Sequence, residues 1–129
     1  MAEERKMALV LATDEYERIH AASLMASVAA MSGIPVQVYV TMEAMKYFRK
    51  DGEPFPLKSV GEKIHEKKAP TALDLLRQGK ELGDLKVHAC AMVLDLFDWK
   101  EEDLSDLFDD TIGVAAFLNM TEGSQIIFV

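Results

Sequence analysis

Three apolar runs of strand length, residues 7–12, 36–40 and 86–89, are separated by stretches long enough for helices, and this alternation constrains the fold more than any other feature. The first run is continuously apolar, the pattern of a strand buried on both faces of a parallel sheet. A helix is predicted over residues 15–32, rich in alanine and carrying Ile19, Leu24, Val28 and Met31, its small residues allowing close packing against the sheet; Gly33 and Pro35 stop it. Asp14 and Glu17 have the spacing of a capping box at its start. Strand, helix and strand in this order make a βαβ unit, whose crossover is expected to be right-handed.

The same grammar continues along the chain. Thr41 is placed to cap a helix through Met42, Met45 and Phe48, and Asp51 to Pro56 then breaks regular structure. Leu57, Val60 and Ile64 predict a short amphipathic helix, and Thr71 with Asp74 caps another that uses Leu73, Leu76 and Leu82. A helix from Ala91 is expected to carry Met92, Leu96 and Trp99 along one face, with Val93 and Phe97 widening the apolar stripe. A second, capped by Asp98 and Glu101, is expected to bury Leu104, Leu107 and Phe108. A small strand or bend near Ile112, a helix over residues 113–122 and a buried strand over residues 125–129 complete the chain. The expected architecture is one α/β domain spanning residues 1–129, a three-layer α/β/α sandwich on a mainly parallel sheet of four to five strands.

Composition limits the function. The single cysteine rules out an internal disulfide, and no stretch approaches the roughly 20 apolar residues of a membrane span. The charged start has no signal-type apolar region, so the chain is expected to be cytoplasmic. A net charge of -8 argues against nucleic acid as a partner. Residues 46–68 nevertheless carry +3 while the rest carries -11. This basic excursion reads first as a solvated mixed-charge face, with a local anion or partner site, a lid or an oligomer contact as the alternatives. No GxGxxG or GxxxxGK[ST] motif occurs and no histidine pair has zinc-ligand spacing, so neither a cofactor nor a metal is expected. The eight methionines, among them Met25, Met31, Met42, Met45 and Met92, are expected mostly on buried helix faces.

In a parallel sheet the residues just after each strand gather along one rim, where ligands bind. Here that rim collects Thr13, Asp14, Thr41, Met42, Cys90 and Met92 as pocket candidates. Cys90 ends a strand and precedes a helix, whose N-terminus favours the thiolate, so it is the candidate nucleophile; a buried, inert thiol is the competing reading. His88 lies two residues earlier and so on the same strand face, placed to pair with the thiolate or move a proton. Capping is the expected work of Asp14, because a carboxylate beside Cys90 would oppose ionisation.

Ala89-Cys90-Ala91-Met92-Val93-Leu94-Asp95 resembles the Ala-Cys-x-Met-Ser-Met-Asp stretch of the DsrE/DsrF-like sulfur-relay family, in its single-cysteine branch labelled peroxiredoxin. The similarity extends to the opening strand, to Met31-Ser32-Gly33 before Pro35, and to Val38 through Thr41. It resumes at Leu104 to Phe108, Gly113 to Leu118 and Ile126 to Val129, and is poorest over residues 46–68. Val93-Leu94 replaces the usual Ser-Met, Met42-Glu43 stands where aromatic residues are frequent, and the turn near Gly113 is shorter. The resemblance implies a three-layer α/β/α domain, a homo-oligomer, and a sulfur carrier or sulfurtransferase. Its cysteine would take sulfane sulfur from a donor molecule and pass it to a partner thiol. Two other readings stand beside it: a noncatalytic module for a small anion or nucleotide with a structural Cys90, and a subunit that only assembles, through residues 46–68.

Overall fold

A computed structural model describes residues 5–129, so the start of the charged N-terminal stretch lies outside the described residues. Five strands form one parallel sheet in the order β4-β3-β2-β1-β5: β1 (Met7–Leu11), β2 (Val36–Val40), β3 (Leu85–Cys90), β4 (Asp110–Ile112) and β5 (Gln125–Phe128). The helices are α1 (Tyr16–Met31), α2 (Ser59–Glu66), α3 (Ala72–Leu82), α4 (Ala91–Phe97) and α5 (Val114–Met120). None of them is long and apolar enough to cross a membrane.

The register explains the layering. Leu9, Val38 and Val87 lie opposite one another across β1, β2 and β3, and alternation puts them on one face. All three are fully buried, under α1 and α3. These helices pack closely because α1 turns Ala22, Ser23, Ala26 and Ser27 inward. The next row, Val10, Tyr39 and His88 with Phe128 beside Val10, faces the other way. There the chain leaves β4 at one edge and crosses to β5 at the other through seven-residue α5, whose Phe117 stacks on Tyr39 at 4.8 Å. So short a helix covers only part of this face, and Ile126 and Phe128 of β5 stay exposed. The three layers are as expected, but β5 is an exposed edge strand rather than a buried one.

Several local expectations change. The Asp14–Glu17 box does not form: α1 starts at an N-cap Glu15 with no side-chain cap, and Thr13 Oγ1 accepts from Glu15 N at 3.0 Å. Glu17 instead caps the distant α2, accepting from Lys58 N at 2.7 Å. A Cβ on Gly61 would collide with that same carboxylate, which explains a glycine inside α2. Thr71 and Asp74 do form their capping box. Gly33, at φ 88°, ends α1 as expected.

Because the small residues of α1 face inward, Leu24, Met25, Val28 and Met31 point outward. Likewise α4 buries Val93 and Leu94 and exposes Met92 and Leu96. Of the five methionines expected in the core, only Met45 is buried. The segment after Thr41 is a 3-10 helix, Met42–Phe48, with Met45 and Phe48 buried. Only a 3-10 turn, Glu101–Asp103, forms where a helix capped by Asp98 was expected. Asp98 adopts the left-handed conformation that ends α4, and Leu104 is buried from extended chain and Leu107 from a turn instead.

Candidate functional site

The carboxyl ends of β2 and β3 bring Thr41 and Cys90 together at the base of a cavity of about 450 Å³. Val10 and Tyr39 extend its floor, Met42 and Met92 stand at one side, and Val114, Phe117 and Leu118 of α5 at another. Ile126 and Phe128 of β5 complete the mouth. No lining residue is charged.

Cys90 is 5% exposed, and as a neutral thiol it makes no helix-cap hydrogen bond. Burial pushes the pKa of the thiol up. The Thr41 and Tyr39 hydroxyls and the backbone N–H groups of Val93 and Met92 favour the anion more strongly, so the net effect holds the thiol below its ordinary value. Tyr39 moves the opposite way: burial, then the neighbouring thiolate, keeps its phenol protonated far above neutral pH. Its hydroxyl donates to Ile112 O at 3.2 Å, so its single proton serves the sulfur only by turning from that carbonyl.

The remaining candidates separate. Thr41, Met42 and Met92 line the cavity with Cys90; Thr13 and Asp14 do not. His88 shares the sheet face of Cys90, as strand alternation predicts, yet it lies outside the wall and is only 2% exposed. Its Nδ1 lies 2.5 Å from Asp110 Oδ1 and its Nε2 2.6 Å from Gln37 Oε1. With both ring nitrogens engaged, His88 is not placed to serve the thiol. Thr41 occupies the N-cap position of the segment that follows but makes no side-chain cap bond, which leaves its hydroxyl able to favour the Cys90 thiolate.

Sequence reasoning missed Tyr39 and the walls from α5 and β5. The signal for Tyr39 was its place two residues before the rim on the Val10 face. Nothing local indicated that β5 pairs with β1.

The basic excursion forms a second cavity of about 490 Å³, with Tyr16, Tyr47, Phe55, Ile64, His65 and Lys68 in its wall. Many of its cations are already engaged. Lys46 pairs with Glu43 at 3.0 Å, Lys63 with Glu66 at 3.2 Å, and Arg49 lies 4.4 Å from the centre of the Trp99 ring. That pattern agrees with a mixed-charge surface.

Fold and site together define a parallel α/β domain with one cysteine at the end of an inner strand. The model of the DsrE/DsrF/DrsH-like family matches residues 55–129, more than half of the chain and the part that holds Cys90. The chain belongs to that family. Among solved structures it is similar to the protein of unknown function MTH1491 from Methanobacterium thermoautotrophicum. The TM-score is 0.64 at 16% identity, over 97% of this chain and 99% of that one, a likeness of fold. No curated protein matches the sequence.

Proposed function

We propose that this protein is a sulfur carrier that holds sulfane sulfur on Cys90. The observation that carries this reading is a buried thiol at the base of an open cavity, beside the Thr41 hydroxyl and the backbone N–H groups of Val93 and Met92, which favour its anion. In the loading step the Cys90 thiolate attacks the outer sulfur of a donor R–S–SH. A bond forms between Sγ and that sulfur, the donor S–S bond breaks, and R–S⁻ leaves. In delivery an acceptor thiolate attacks the same outer sulfur, and Cys90 leaves as thiolate. Electrons balance in both steps without an external oxidant, so one cysteine suffices.

The partners are thus a sulfur-donor small molecule and an acceptor thiol on another molecule, and the cytoplasm, where thiols stay reduced, is the compartment this chemistry suits. A homo-oligomer is part of the reading; the apolar stripe of Leu24, Met25, Val28 and Met31 on the outside of α1 supports it. The test is Cys90→Ala. The variant should fold as the parent does by circular dichroism, yet show no single-sulfur mass increase after exposure to a persulfide donor; normal loading would refute the mechanism. The low exposure of Cys90 favours one competitor, a binding module with a structural thiol. That reading predicts a thiol that reacts only after unfolding, and the uncharged cavity wall speaks against a small anion or nucleotide as its ligand.

A further inference from the structure

The cavity beside Cys90 has a chemical character that the sulfur-carrier reading alone does not require. Its walls come from five segments, and not one supplies a lysine, arginine, histidine or carboxylate. Val114, Leu118, Ile126 and Phe128 are apolar side chains left largely in solvent around its mouth, with Phe128 73% exposed. Met42 and Met92, also half-exposed, are unbranched and able to adjust to an irregular apolar guest. The polar side chains sit at the other end: Cys90, Tyr39, and Thr41, which is 7% exposed and whose hydroxyl favours the Cys90 anion. The volume, about 450 Å³, is within the range of about 300–1,000 Å³ that holds small organic molecules. An inorganic dianion such as thiosulfate would lose its hydration here with no cation to replace it. The overall charge of -8 adds repulsion.

We propose that this cavity selects an organic sulfur compound with an apolar carbon group, which seats that group against α5 and β5 and its reacting sulfur against Cys90. The inference rests on the sulfur-carrier reading only for the identity of the transferred group. For a donor R–S–SH, R occupies the apolar mouth, the outer sulfur passes to Cys90, and R–S⁻ departs toward solvent. A second copy of the chain lying over the mouth is the main competing occupant.

The test uses the full-length protein and a series of alkyl methanethiosulfonates, from methyl to hexyl, with the charged sulfonatoethyl reagent beside them. Each forms a mixed disulfide with the Cys90 thiolate and releases methanesulfinate, so the rate reads access and affinity at one sulfur. Rates are followed by intact mass and divided by those of the same reagent on the unfolded chain. The expected result is a gain of about fourfold for each methylene buried, and a sulfonatoethyl rate at least about tenfold below that of propyl. Leu118→Gln at the mouth should flatten the series, whereas Leu96→Gln, on α4 outside the cavity, should not. A flat series in the parent, equal rates for charged and apolar reagents, or rates that fall as protein concentration rises and copies close the mouth would overturn the assignment. Loading from hexyl persulfide and from thiosulfate separates the two claims. A chain-length gain with no retained sulfur leaves the apolar site standing and removes the carrier. Equal sulfur loading from both donors does the reverse.

Discussion

Cys90 combines two properties that oppose each other at most cysteines, burial and a favoured anion. Burial alone would raise its pKa, and only the surrounding donors reverse the sign. The rate of native thiol modification should therefore rise with pH and level off at a lower pH than in the unfolded chain, because the thiolate is the reacting form. Thr41→Val removes one donor. It should shift that profile upward and slow modification at neutral pH by about fivefold, the equivalent of one hydrogen bond of about 1 kcal/mol; an unchanged pH profile would show that Thr41 does not act on the sulfur. Cys90 and its strand-end place were legible in the sequence, because a short apolar run leads to it and a helical pattern leaves it. The commitment of His88 was not, since its partners Gln37 and Asp110 come from the neighbouring strands β2 and β4.

Strand β3 holds Cys90 in place through its neighbours. On the β4 side, Asp109 clamps the strand by accepting from Val87 N at 2.8 Å and pairing with Lys80, while its own N–H donates to Val87 O. Burial opposes the charge on Asp109, but Lys80 and the Val87 N–H outweigh it and hold the carboxyl below its usual range. A carboxyl lowered in the folded state stabilises the fold fully above its unfolded value of about 3.9, and that stabilisation is lost as pH falls through the folded value. Asp109→Ala should cost about 1 kcal/mol at neutral pH, discounted for its partial exposure, and should reduce the acid sensitivity of unfolding. Denaturant titrations at two pH values measure both effects. At this scale, helices and strands were readable from period and caps, as at Thr71–Asp74, and so was the close packing of α1 through its small residues, whereas the outward turn of its large apolar residues was not. In α1 the close approach to α3 selects alanine and serine for the interface, so the larger Leu24 and Val28 are turned out against the usual rule. The supposed cap Glu17 likewise serves α2, 41 residues away.

For the whole molecule, one face of the sheet is sealed by α1 and α3 while the other is only partly covered by α5, and the candidate site lies on the partly covered side. The parallel α/β class followed from the alternation of apolar runs. The strand order did not, because joining β5 to β1 depends on a crossover by a seven-residue helix whose direction no local pattern records. The outer stripe of α1 belongs to this scale as well. Sedimentation should show an assembly, and Val28→Asp should shift it to smaller species without changing Cys90 reactivity; a monomer in the parent would remove the oligomer from the account. The most direct test of the central claim is a discharge measurement on intact protein. Protein first treated with an organic persulfide and freed of donor is mixed with an acceptor thiol, and both are weighed by mass spectrometry. The account predicts one added sulfur per chain, located on Cys90, which disappears from the protein as the acceptor gains it. A chain that takes up no sulfur, or one that keeps it in the presence of excess acceptor, would contradict the proposal that Cys90 is a carrier.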